Sequence, residues 1–159
     1  MALRPEEERH LRRAIELARL SRANGNHPFG SLLVEASDFV VLEAENTVVT
    51  RRDVTGHAEL NLVRAASTTL DASDLLNATL YTSTEPCAMC SGAIYWSGIG
   101  RVVYALSNEA LMTIWSEAAA SEALTLSCRE VFARGGRGVD VSGPHLEKAA
   151  RAVHEGFWS

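Results

Sequence analysis

Two cysteines three residues apart, Cys87 and Cys90, stand where the strand-like run 78–83 gives way to a helix opened by Pro86. On a helical turn, residues three apart share a face, so both sulfurs are presented to one point. A second short stretch of the same character, His57-Ala58-Glu59, opens another helix. The fold must therefore set two helix starts side by side, each offering soft or borderline ligands. The chain has 159 residues and three cysteines, too few for a disulfide framework. A close cysteine pair in such a chain points to metal or redox chemistry.

Around these two points strand and helix patterns alternate. The spacing predicts a helix over 5–23, where Leu11, Ala14, Ile15, Ala18 and Leu20 form an apolar stripe. Pro5 suits its first turn and Gly25 follows its end. Strands are predicted over 30–35 and 39–45, with Ala36-Ser37-Asp38 as the turn between them. A helix over 57–67 buries Leu60, Val63 and Ala66. Then come a strand over 78–83, a helix over 87–96, a strand over 101–106 and a helix over 108–119. A helix over 126–134, a strand over 138–142 and a helix over 145–156 complete the chain. This alternation implies one α/β domain over 1–159, a sandwich with parallel strand pairs after an opening antiparallel hairpin.

Charge narrows the partners. The net charge is -5, and Lys148 is the only lysine. Proteins that grip nucleic acid usually carry excess positive charge along one face, so the balance favours a small-molecule substrate. No apolar run reaches the ~20 residues of a bilayer span. The N-terminus is acidic and polar where a signal peptide is basic and then apolar, which makes the cytoplasm the expected address.

His57, Cys87 and Cys90 form a mixed nitrogen and sulfur set that suits Zn2+ and leaves one tetrahedral position open. The positive ends of both helices favour thiolate over thiol. Either Asp53 or Thr55 caps the His57 helix. Zinc with two thiolates and a neutral imidazole is formally neutral, so it acidifies water less than an all-imidazole site does. Such a site needs a carboxylate to take the proton, and Glu59, two residues past a ligand, is the candidate base. Two plainer readings compete: a redox pair, or a structural zinc completed by Cys128 or one of His10, His27, His145 and His154.

The segments Pro28-Phe29-Gly30, Asn46, His57-Ala58-Glu59, Leu80 to Cys90 and Ser91-Gly-Ala-Ile-Tyr-Trp96 carry a resemblance. Over nearly its whole length the chain resembles the cytidine deaminase superfamily, whose signature is H-x-E followed by P-C-x-x-C. Within that superfamily it is most similar to the bacterial guanine deaminase-type nucleobase deaminases. The resemblance implies a three-layer α/β/α sandwich around a mixed five-stranded sheet, a catalytic zinc and a homodimer. It implies hydrolytic loss of ammonia from a free base, guanine first and then cytosine-like or s-triazine rings. A tRNA adenosine deaminase forming inosine is the alternative. It places Asn46 on the heterocycle, Phe29 and Trp96 as aromatic walls, and Ala58 in the same pocket. Glu117 falls at the place of a second proton shuttle, with Glu109 and Glu122 as rivals. Phe157 and Trp158 form a closing tail that covers either its own site or, by exchange, a partner's. Away from the motifs, Met89 reads as packing, Cys128 as a buried apolar residue, His27 as a loop histidine, and Trp115 as core or pocket wall.

Overall fold

The computed structural model describes residues 2–158. Helix α1 (Pro5–Ala23) leads into the hairpin β1 (Gly30–Val34) and β2 (Val40–Glu45), then α2 (Val48–Arg51) and α3 (Ala58–Thr69). Helix α4 (Ala72–Asn77), strand β3 (Thr79–Thr84), α5 (Ala88–Ser97) and β4 (Arg101–Leu106) follow. The last third holds α6 (Asn108–Met112), α7 (Glu117–Ser121), α8 (Cys128–Ala133), β5 (Asp140–Ser142) and α9 (Glu147–Ala152). The five strands lie in the order β2-β1-β3-β4-β5. β1 is antiparallel to β2 and β3, whereas β3, β4 and β5 run parallel. This is the expected mixed sheet with its opening hairpin.

Alternation along the strands splits the core into two layers. Leu32, Tyr81, Val103 and Ala105 face α1 and α9, where they meet Leu11, Ala14, Ile15, Ala18, Ala150 and Val153. Their neighbours Leu33, Leu80, Val102 and Tyr104 face the other way, onto Leu62, Ala66, Ile94, Cys128 and Phe132 of α3, α5 and α8. Each fully buried leucine in these layers contributes roughly 1.5–3 kcal/mol relative to leaving it in water. Gly30 shows how closely the layers meet. A Cβ there would lie 2.5 Å from the Ala18 nitrogen and 2.7 Å from the Ala14 carbonyl oxygen, so the start of β1 presses directly on the α1 backbone.

Several elements depart from the sequence expectation. The helix expected over 108–119 is two short helices: the first ends at Met112, and Ser116 caps the second by accepting from the Ala119 N–H. The break leaves Trp115 free to turn inward. The last helix ends at Ala152 rather than 156, and turns carry the chain to Trp158. The short α2 and α4 were not expected; a distant side chain holds the first and a local cap the second. The Asn26 side chain accepts from Val49 and Thr50, and Asp71 caps α4. Among the described residues, no helix is long and apolar enough to cross a membrane.

Candidate active site

The parallel pair β3–β4 ends with Thr84 opposite Leu106, and the Glu85 N–H donates to the Leu106 carbonyl at 2.7 Å. Ligand sites of α/β sheets form at this carboxyl edge, where the strands release their loops. Cys87 follows three residues later as the cap residue of α5, and His57 is the cap residue of α3. Neither Asp53 nor Thr55 caps α3. Asp53 instead accepts from the backbone and hydroxyl of Thr55, which makes a tight turn that delivers His57 to the helix start.

The His57 Nδ1 lies 3.6 Å from the Cys87 Sγ and 3.6 Å from the Cys90 Sγ. Zinc bonds of about 2.0 Å to nitrogen and 2.3 Å to sulfur, at a tetrahedral angle, separate N and S by about 3.5 Å. The three donors therefore fit one tetrahedral ion. Among the described residues this is the group of metal-binding side chains that converges. Cys128, His10, His27, His145 and His154 stand outside it, so no fourth protein ligand makes the site structural. Hydrogen bonding from the Cys90 thiol, with help from His57, brings the Cys87 thiol down to about 4 against the pull of burial. The same shared proton raises Cys90, and burial adds to it. Zinc binding requires both sulfurs as thiolates, and the shift on Cys87 favours that form.

Glu59 is buried at the second position of α3. Its Oε1 accepts from the Thr82 hydroxyl at 2.9 Å, which fixes the carboxyl. Burial pushes its pKa up and the Cys87 charge adds to the shift, whereas His57 opposes it. A carboxyl with an affinity for protons above the ordinary range, held beside a metal triad, is suited to carry a proton in both directions.

A cavity of 280 Å³ opens over His57, Cys87 and Glu59, with Phe29, Trp115 and Trp158 among its walls. Trp115 and Trp158 meet edge to face at 5.6 Å, and Phe29 lies 6.1 Å from Trp158. Thr84 and Trp115 each turn a buried polar atom towards this region without a protein partner, Oγ1 and Nε1. A wider groove of 710 Å³ lies beyond Glu85 and Asn108, but none of the zinc triad lines it.

The other sequence candidates divide. Phe29 and Trp158 line the cavity as expected. Asn46 is buried and not among the lining residues; its backbone N–H donates to the carbonyl of the lining residue Phe29, its Oδ1 accepts from the Val48 N–H, and its Nδ2 has no partner. Ala58 is fully buried at the first position of α3, where its side chain packs rather than facing the cavity. Trp96 is 84% exposed and does not line the cavity. The buried face of α5 carries Cys90, Ser91 and Ile94, and Trp96 lies about 200° around the helix from Ile94. Glu117 is exposed at the start of α7, and neither it nor Glu109 nor Glu122 lines the cavity. The break before Ser116 carries Glu117 outward. Met89 is exposed on α5 rather than packed.

Other residues gain roles that sequence reading missed. His27 lines the cavity instead of lying in an ordinary loop. Glu85 also faces it, yet its two oxygens accept from the Asn108 and Cys128 N–H groups and so tie α6 and α8 to the end of β3. Cys128 is buried as expected, and burial with Glu85 nearby pushes its thiol up to about 12.

Residues 4–106 match the model of the cytidine and deoxycytidylate deaminase zinc-binding region. The chain is 42% identical to a probable cytosine deaminase of Schizosaccharomyces pombe over 149 residues, 94% of this chain and 90% of that one. It is 38% identical to a tRNA-specific adenosine deaminase of Haemophilus influenzae over 102 residues, 64% of this chain and 59% of that one. The structure of a guanine deaminase from Nitrosomonas europaea superposes with a TM-score of 0.78 at 28% identity, covering 96% of this chain and 84% of that chain. With a converged zinc triad and a buried carboxyl beside it, the chain belongs to the zinc-dependent cytidine and deoxycytidylate deaminase family and is a hydrolytic deaminase.

Proposed function

We propose that the substrate is a free nucleobase, with a cytosine-like ring first, guanine second and an s-triazine third. The observation that carries this reading is the cavity itself: 280 Å³ walled by Phe29, Trp115 and Trp158, enough for one flat heterocycle. Guanine leads on the sequence resemblance, partly through the second proton shuttle expected at Glu117. Glu117 lies outside the cavity, and that support for guanine goes with it. Similarity to a probable cytosine deaminase runs through 149 of 159 residues. It therefore includes most of the segment after β4 that supplies Asn108, Leu111 and Trp115 to the cavity.

Within this reading, Asn46 donates from its free Nδ2 to a ring acceptor, and the aromatic walls stack on the faces of the base. Zinc held by His57, Cys87 and Cys90 would supply a nucleophilic water. Glu59 takes a proton from the attacking water and passes it to the ring nitrogen beside the amine-bearing carbon. It then carries the second proton to the amino group, so oxygen replaces nitrogen on the ring and ammonia leaves. A homodimer remains part of the reading, supported by Trp96, a large apolar side chain left in water on α5.

Ammonia release from a panel of cytosine, guanine, a diamino-s-triazine, cytidine, guanosine and tRNA tests the substrate. Turnover of cytosine at least tenfold faster than of any nucleoside is the expected result. Turnover confined to nucleosides, or inosine formed in tRNA, would overturn it.

A further inference from the structure

The chain's last turn carries a histidine that the chemistry above does not use. His154 is 1% exposed, and its ring lies nearly parallel to that of Trp158, with centroids 6.1 Å apart and planes 14° from each other. The Trp158 indole N–H donates to His154 Nδ1 at 3.1 Å. An indole nitrogen only donates, so Nδ1 must carry a lone pair and His154 must be neutral with its proton on Nε2. The Phe29 ring also lies against the imidazole, centroids 5.3 Å apart, so His154 touches two cavity walls while standing outside the cavity.

We propose that His154 is a positioning residue: its unprotonated Nδ1 fixes Trp158 as the wall that closes the cavity over the substrate. This rests on the reading that the cavity holds the base. A tail of turns lacks the strand or long helix that would otherwise fix an indole, and one hydrogen bond supplies the direction. The surrounding charges keep the acceptor available. Arg22 of α1 donates to the Val153 and Glu155 carbonyls and places its positive charge beside the imidazole. His27, from the loop before β1, packs on Phe157 and Trp158, and the neighbouring Glu155 is exposed. Burial, with Arg22 adding to it, lowers His154 to about 4, so it stays neutral through the physiological range.

The test uses zinc-loaded protein and the three indole N–H signals of its 1H–15N spectrum, one for each tryptophan. The Trp158 signal is the one lost in Trp158→Phe. In His154→Leu that signal is expected to move clearly, and KM for the preferred base to rise roughly tenfold with kcat within about twofold, as for one lost hydrogen bond. His154→Gln keeps an acceptor and is expected to restore KM. A Trp158 signal indifferent to His154→Leu would overturn the proposal. So would a KM in His154→Leu equal to the wild type, or one in His154→Gln as high as in His154→Leu. The spectra need no substrate, so a protein that turns over no base would contradict the substrate reading while the indole signal still decided the role of His154.

Discussion

Replacing Glu59 with Gln is expected to lower kcat by about 10²–10⁴-fold while zinc stays at one equivalent per chain. The substitution keeps the shape of the side chain and an oxygen to accept from the Thr82 hydroxyl, so the start of α3 has no reason to move. What it removes is the capacity to take and return a proton. Because the ligand set carries two sulfurs, the base matters more here than in an all-imidazole site, where the metal alone acidifies water further. Glu59→Ala should lose as much activity and some stability besides, since it leaves the buried Thr82 hydroxyl without its acceptor and opens a void. Ammonia release and metal analysis on the same samples separate the two effects. A Glu59→Gln enzyme within tenfold of the wild type would remove Glu59 from proton transfer.

The second large effect belongs to the metal ligands. Cys90 is fully buried between α3 and α5, and it is the ligand held most rigidly, inside a helix rather than at its cap. Cys90→Ala is expected to bring zinc below about a tenth of an equivalent after dialysis, with no measurable deamination. The loss should also appear in stability. A ligand present at ~100 times its Kd stabilises the folded state by about 2.7 kcal/mol. For a domain of this size that corresponds to a fall in Tm of roughly 5–10 °C. Added zinc should raise the Tm of metal-depleted wild type and leave Cys90→Ala unchanged. Full zinc occupancy in the variant would show that the ion sits elsewhere.

Features set by short-range signals are the ones legible in the sequence. The bounds of α1 were legible to the residue, because its apolar stripe, Pro5 and the glycine after its end are all local. The zinc triad was legible for the same reason: its spacings lie within single turns at two helix starts. The cavity was less so, since its walls come from Phe29, from Leu111 and Trp115, and from Trp158, three segments far apart in the chain. Trp96 was placed by resemblance, and the phase of α5 turns its side chain to solvent. Glu117 was placed by resemblance too, and it stands exposed where the helix restarts after Ser116. Glu85 and His154 carry no motif. Their roles exist only once two helix ends or an indole have been brought to them.

The claim that most else depends on is that His57, Cys87 and Cys90 bind one zinc ion. Zinc-edge X-ray absorption on the purified protein tests it without reference to any substrate. Two sulfur scatterers near 2.3 Å and two lighter scatterers near 2.0–2.1 Å, at one zinc per chain, are the expected result. A shell of four sulfurs, a shell without sulfur, or protein that takes up no zinc would contradict it.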